Sequence, residues 1–451
     1  MKRRSFLALG ASAALLAACR NGSTGGSRSD RPLEIWWSEG YYPEEVDAIQ
    51  LIANRWQKRV GVDVNLSLFS EADLISRASA AARGGPQPDI LYGYGLGNMG
   101  VPRLAWEGLL ADLSEQVEPL KAELLPGILQ SVTYHNRRDR NRAIYAIPIS
   151  QQSVNIHYWS DLLAQARIGT AIPSGWTAFW SFWKEAQAGL RRRGFADVYG
   201  MGLPMSTLAN DTSDIFEYIL EAHGAVLVGS TGQLRTNDPQ VIRSVVSALA
   251  DYTSHYRDGS VPPGSVAWSD ADNNANFLGG LSLMTLNPTL SIPGSQVADE
   301  LTYYQRLSSS PWPQTLSGEP MPSIPLVNQL VVFARSPRLS LAKEFVTELL
   351  QAANLSLFLK GSQGRFLPVI KPLLDQSFWK GDQDPHMSTA RQVLNRRRQP
   401  YTVLNPAYSE VLRQKVWGEA IQAVAQNRLP VTQAADDAMK TIEAIFHDWW
   451  R

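Results

Sequence analysis

Gly95-Leu96-Gly97-Asn98-Met99-Gly100 spells a literal G-x-G-x-x-G directly after a strand-like run. Glycines at that spacing let a backbone close on a pyrophosphate, provided a helix opens on them and an acidic residue ends the next strand ~20 residues later. Pro102 works against that helix, so the segment is read as a flexible loop and no cofactor is expected. Other reaction chemistry is missing. The chain has no G-x-S-x-G nucleophile elbow, no H-E-x-x-H pair and no phosphate loop ending in Gly-Lys-Ser or Gly-Lys-Thr. Its six histidines, from His135 to His447, are too scattered to suggest zinc, so neither a metal ligand nor a catalytic residue is assigned. Carboxylates abound, and two of them facing each other across a glycosidic bond would make a hydrolase, but that is a property of the folded chain. The remaining reactive group is the thiol of Cys19, the single cysteine in 451 residues.

The surroundings of Cys19 give the thiol a role. Lys2, Arg3 and Arg4 precede an apolar run from Phe6 to Leu16, and Leu16-Ala17-Ala18 leads into the cysteine. A basic head, an apolar stretch of ~7–15 residues and small residues before a cut make an export signal, and the run falls short of the ~20 residues that span a bilayer. Leu-Ala-Ala-Cys resembles the lipobox, whose cysteine takes a diacylglycerol and becomes the first residue of the mature chain. Residues 1–18 are therefore expected to be a bacterial lipoprotein signal peptide and Cys19 a lipid anchor on the outer, periplasmic face of the cytoplasmic membrane. Arg3-Arg4-Ser5-Phe6-Leu7 also resembles the twin-arginine export pattern. Residues 19–31, rich in Gly and Ser after the cysteine, read as a lipidated flexible tether.

Composition narrows the classes further. With 44% hydrophobic and 19% charged residues the chain can build a sizeable core, and its length suits two or three domains. Forty-two basic residues balance forty-two acidic ones, so no overall field draws in nucleic acid. Without a second cysteine, packing must stabilise the exported chain without disulfides. Fourteen Trp outnumber thirteen Phe, and flat rings with a polar edge suit the covering of a sugar face.

The elements that would position a site follow from periodicity. Leu33–Trp37 reads as a strand, 44–60 as a helix with Val46, Ile49, Ile52, Ala53 and Trp56 at helical spacing, and Val62–Leu68 as a second strand alternating at period two. A helix around 71–83 and a strand at 88–92 continue the order, followed by a helix over 104–110. Strand, helix, strand, helix, strand specifies an α/β fold with a parallel sheet covered on both faces. The middle is mostly helical, over 158–165, 176–192, 211–223 and 238–256, where Asn237-Asp238-Pro239 reads as a cap with proline in the first turn. Strand-like runs fall at 143–149, 280–286 and 329–333. Residues 308–325 read as a loop, and 339–351, 408–426 and 432–450 as helices.

Taken in order, these segments resemble the carbohydrate-binding receptors of ABC importers, the maltose-binding-protein-like family. The resemblance rests on Leu33 to Tyr42, Val60–Val64, Pro88–Ile90, Glu107–Leu113, Ile144–Pro148, Pro173 to Trp176, Phe277–Gly280 with Leu283-Met284, and Leu341–Phe345. It implies a periplasmic-binding-protein-like fold, two α/β lobes with interleaved chain segments joined by crossing hinge strands near 147–152, 286–288 and 332–336. Lobe 1 would comprise 32–147 plus 289–333, and lobe 2 148–288 plus 334–451. It further implies a monomer that closes on a sugar, oligosaccharide or sugar-like osmolyte and presents it to the importer's transmembrane subunits, without enzymatic activity.

A sugar site needs a few convergent polar groups and an aromatic floor. By resemblance the loop after the first strand supplies Trp36, Glu39 and Tyr41, with either Trp36 or the adjacent Trp37 facing inward. Tyr94 follows the third strand, and Gln151 and Gln152 follow the first crossing. Asn287 stands at the second crossing, where Thr289 and Leu290 replace the tryptophan of relatives, so that Trp268 with Asp270 is the substitute. Arg365, in Gly364-Arg365-Phe366-Leu367-Pro368, would approach from a further loop. Six cleft aromatics would favour an oligosaccharide, whereas Arg365 in the site would favour a phosphorylated polyol such as glycerol 3-phosphate. A secreted glycan hydrolase and a lipid-anchored scaffold are the readings from other classes.

Overall fold

The computed structural model describes residues 31–450 apart from 382, 383, 393 and 395. The leader, Cys19 and the tether up to residue 30 lie outside the described residues. Twelve strands occur among them: β1 (Leu33–Ser38), β2 (Val64–Phe69), β3 (Ile90–Gly93), β4 (Thr133–Asn136), β5 (Asn141–Ile144), β6 (Ile147–Gln152), β7 (Asn155–Trp159), β8 (Tyr199–Gly202), β9 (Ser282–Asn287), β10 (Leu307–Ser310), β11 (Leu326–Val332) and β12 (Leu367–Pro368). They form a six-stranded sheet in the order β12-β6-β11-β3-β1-β2, a four-stranded sheet β10-β7-β9-β8, and the hairpin β4-β5. β2, β1 and β3 are parallel, as the alternation of strands and helices requires.

Each sheet has its own core. In the first lobe, the helix Pro43–Val60 begins with proline in its first turn and stops at Gly61, whose φ of 71° is one that glycine adopts freely. Its Ile49, Ile52 and Trp56 are buried, and Trp56 meets Phe345 edge-on at 5.5 Å. Trp37 faces this core, stacked on Tyr92 at 4.1 Å. In the second lobe the helices Trp176–Arg191, Asp211–Ala222, Pro239–Arg257 and Val431–Trp449 enclose the four-stranded sheet.

The division of the chain between lobes differs from the expected one. Phe345, Val346, Phe358 and Trp379 belong to the first core, with Trp37 and Trp56. Leu307 and Ile324 belong to the second. The apolar face of the helix Leu339–Leu349 is therefore matched to the first sheet, so residues 334–390 pack with lobe 1 instead of lobe 2. β10 pairs with β7, which draws the segment before Ile324 into lobe 2. The third crossing consequently falls at 324–326, ahead of β11, and a further one follows Ala390, before Tyr401 in the second core.

Smaller differences have local causes. The run 143–149 is split into β5 and β6, and the run from 158 begins as β7 before the helix Ser160–Ala166. Part of the 308–325 loop is strand β10. The helix over 408–426 is broken at Lys415, which adopts a left-handed φ of 56° between Tyr408–Arg413 and Val416–Ala425.

Candidate functional site

A cavity of about 900 Å³, counting its open mouth, lies between the lobes. Tyr41, Tyr94, Asn98 and Arg365 line it from the first lobe, and Gln152 and Asn287 from the crossing strands. Asn210, Asp211, Asp214, Asp270, Asn274 and Lys415 line it from the second. The walls touch at the rim. Asn274 Nδ2 donates to Tyr41 Oη at 3.2 Å, and Thr402 Oγ1 donates to Asn98 Oδ1 at 3.3 Å. Trp106 packs against Trp449 and Trp450, with centroids 6.2 and 4.8 Å away.

The first wall is built around two buried carboxylates. Glu71, in the first turn of the helix Glu71–Ala82, accepts hydrogen bonds from Ser38 Oγ at 2.9 Å, Tyr94 N at 3.1 Å and Gly95 N at 2.7 Å. It thereby fixes the loop that carries Tyr94. A Cβ at position 95 would sit 3.2 Å from Glu71 Oε1, one at 97 would sit 2.6 Å from Val327 O, and one at 100 would sit 2.9 Å from Leu96 Cδ1. The glycines are thus consumed by close packing, and the expected flexible loop is the short helix Leu96–Met99. Burial raises the Glu71 carboxyl to about 7, although the three donors oppose the shift. Glu45 accepts from Tyr41 N at 3.2 Å and lies 3.3 Å from Arg365 Nε. Arg365 is only 5% exposed. Its guanidinium lies over the rings of Phe366, Tyr94 and Tyr41 at 4.3, 5.0 and 5.7 Å.

The second wall is the start of the helix Asp211–Ala222. Asp270 accepts hydrogen bonds from Asn210 Nδ2 at 2.8 Å and Asp211 N at 3.2 Å, thereby capping that helix from outside. Asp211 accepts from Asn273 Nδ2 at 3.0 Å. Burial, then repulsion from Asp270 and Asp214, holds the Asp211 carboxyl well above the usual range. Burial, then Glu217 and Asp270, pushes Asp214 up to about 8. The Lys415 ammonium donates to Asn210 Oδ1, and burial holds its pKa below the ordinary lysine value against the pull of the acids. The left-handed turn at Lys415 is what aims this side chain into the cleft. Between the walls, Asn287 Oδ1 accepts from Thr289 N and Oγ1 at 2.9 Å each, while its Nδ2 donates to Asn274 Oδ1.

Of the ten residues named from sequence, Tyr41, Tyr94, Gln152, Asp270, Asn287 and Arg365 come together here. The other four do not. Trp36 lies on the outer face of β1, edge-on to Phe69 and under the Arg77 guanidinium. Glu39 points to solvent. Gln151 is turned away, its Nε2 donating to Pro368 O at 2.7 Å, and Trp268 is half-buried off the cavity. Asn98, Asp211, Asp214, Asn274 and Lys415 were not anticipated. Acidic residues in a first helical turn usually only complement the helix dipole, and nothing in the local sequence marks Lys415.

Residues 52–389 match the family model of bacterial extracellular solute-binding proteins. The chain belongs to that family. No curated protein matches the sequence. Among solved structures, this solute-binding protein is similar to one from Thermotoga lettingae bound with α-D-tagatose, at 18% identity and a TM-score of 0.74, covering 92% of this chain and 99% of that one. It is also similar to the maltose-bound MalE3 of T. maritima, at 18% identity and 0.72, covering 91% and 99%. A third is UgpB of Mycobacterium tuberculosis in complex with glycerophosphocholine, at 17% identity and 0.71, covering 93% and 100%. These likenesses establish the two-lobed receptor fold. Among the described residues no group of three or more His, Cys, Asp or Glu could hold a metal ion, and no helix is long and apolar enough to cross a membrane.

Proposed function

We propose that this solute-binding protein captures a sugar, an oligosaccharide or a sugar-like osmolyte in the interlobe cavity and delivers it, chemically unaltered, to the membrane subunits of an ABC importer. The observation that carries this reading is the cavity itself. Amide, carboxylate and hydroxyl groups from both lobes converge around two tyrosine rings, which suits a ligand with many hydroxyls and a C–H face. The ligands named for the related structures, tagatose and maltose, are of that class. A ligand that touches both walls favours the closed arrangement, and membrane subunits that prefer the closed shape would tell loaded receptor from empty.

The carboxylates speak against a hydrolase. Glycosidic cleavage needs two of them on opposite sides of the bond, whereas Asp211, Asp214 and Asp270 share one wall and the facing wall presents Arg365. Export and lipid attachment through Cys19 complete the proposal, with the receptor acting as a monomer at the outer face of the cytoplasmic membrane. The phosphorylated-polyol reading is supported by Arg365 in the cavity, whose Nε alone lies 3.3 Å from Glu45, and by the likeness to UgpB, a structure in complex with glycerophosphocholine. A thermal-shift panel of sugars, polyols and phosphorylated polyols tests the function. At least one sugar should raise the melting temperature saturably with one-to-one stoichiometry, and turnover of an oligosaccharide without saturable binding would overturn the receptor reading.

A further inference from the structure

We infer that an aromatic clasp outside the ligand cavity draws the two lobes together without ligand, and so sets how far a ligand must shift the balance between open and closed receptor. The helix Val101–Trp106 belongs to the first lobe, because Val101, Leu104 and Ala105 enter the first core. Its last residue does not. Trp106 is only 4% exposed, yet it packs with the second core, against the end of the helix Val431–Trp449. Trp450 meets it edge-on, with the ring planes at 88° and the centroids 4.8 Å apart, and Trp449 is tilted against it at 6.2 Å. One turn before Trp106 on the same helix, the Arg103 guanidinium lies 4.9 Å over the Trp449 ring. His135 backs the Trp106 ring at 5.3 Å.

The surroundings make this a contact between two bodies and not a part of either core. None of Arg103, Trp106, Trp449 and Trp450 lies in a crossing segment or lines the ligand cavity. A hollow of about 1170 Å³, counting its open mouth, runs between the lobes beside the clasp, lined by Arg83 and Arg103 from the first and by Glu410, Arg413 and Trp449 from the second. Met99 borders both this hollow and the ligand cavity. The lobes therefore face each other across an open seam and touch at separate points. Trp450 is 55% exposed, so its ring is not folded into the second core and its aromatic partner comes from the other lobe. Edge-on rings and a cation over a ring attract only at short range and suitable angle. A hinge rotation that parts the lobes breaks these contacts and leaves each core intact. An edge-on pair of this geometry shifts such a balance about 2- to 12-fold. That favours closure while leaving a ligand to complete it.

Single-molecule energy transfer in the ligand-free protein tests the clasp, with one dye on each lobe at Leu51→Cys and Leu208→Cys, both exposed positions, in the otherwise full-length chain carrying Cys19→Ser. The parent should show a compact and an extended population. Trp450→Ala should lower the ratio of compact to extended molecules about 2- to 12-fold, with the melting temperature unchanged because the ring is half in solvent. Trp450→Phe keeps an edge-on ring and should restore the parent ratio. Arg103→Gln removes the cation over Trp449 and should lower the ratio in the same sense, which keeps the test open if the first variant does not fold. A parent with no compact population, or a ratio that neither Trp450→Ala nor Arg103→Gln alters, would overturn the inference. A lowered melting temperature with an unaltered ratio would do so too, by making the ring part of a core. No ligand enters this experiment, so the receptor reading stands or falls separately, on its own panel of sugars and polyols.

Discussion

On the first-lobe side of the cleft, the carboxylates beside the cavity are met within their own lobe. Arg365 faces Glu45 and three aromatic rings, and Glu71 receives three hydrogen bonds. On the second-lobe side, three aspartates share one helix start with a single lysine that bonds elsewhere. A wall whose charges are satisfied before the ligand arrives supplies shape and rigidity. A wall left incomplete supplies selectivity, because whatever completes it gains what the protein lacks. The crossing strands contribute a third kind of group, the Gln152 amide, whose buried Oε1 has no hydrogen-bond partner among the described residues.

The strongest way to break this contrast is Arg365→Met. It leaves the buried Glu45 without its cation and should cost ~3–5 kcal/mol in the ligand-free protein, read as a lowered denaturation midpoint. An unchanged midpoint would mean the first wall is not held by that pair. Gln152→Ala should behave in the opposite sense. Its amide has no partner to lose, so ligand affinity should fall about tenfold, ~1.4 kcal/mol, while the apo midpoint barely moves. Equal losses in both measurements would make Gln152 structural.

Two pH profiles sharpen the comparison. Beside the hinge, His386 Nε2 must donate to Tyr303 O at 2.9 Å, so its Nδ1 accepts from Ser309 Oγ at 2.7 Å, and that hydroxyl oxygen accepts from His157 Nδ1 at 2.8 Å. His157 is left neutral, with a buried and unpaired Nε2. Burial, then His386, lowers its pKa from 6.5 to about 3. The stability tied to it is therefore present above pH 6.5 and lost as pH falls towards 3. His157→Gln should flatten the melting profile in that acidic window. Asp214 carries the reverse sign. Its folded pKa is raised from 3.8 to about 8, so the associated stability is present below pH 3.8 and lost as pH rises through 8. Asp214→Asn should flatten the apo profile between those values, and an unaltered slope would show that the second wall is not strained by charge. The smallest effect belongs to Glu39→Ala. The side chain is solvent-exposed and off the cavity, so both affinity and midpoint should match the parent, and a tenfold loss would move the site towards the loop after β1.

The elements themselves were largely legible because their signals are local. Apolar residues at helical spacing announced the helix Pro43–Val60, and period-two alternation announced β2. The family resemblance placed Tyr94, just past β3, and Asn287, the last residue of β9, at the site. It failed at Trp36, where alternation allowed either neighbour to face inward and long-range packing against Tyr92 and Phe358 chose Trp37 for the core. It failed at Lys415 because a left-handed break inside a continuous helical pattern leaves no periodic trace.

Residue order alone was enough for an α/β fold, since helical and strand periods, caps and turn residues act over a few positions, while the two lobes came from the resemblance of the ordered segments to a known family. It could not assign residues 334–390 to a lobe, because both cores accept an amphipathic helix and the choice depends on which sheet offers a complementary apolar face. Nor could it bring Asp211, Asp214 and Asp270 onto one wall opposite Arg365 and its neighbour Glu45. Charge balance depends on distances between groups remote in sequence, and those distances exist only once the lobes have folded.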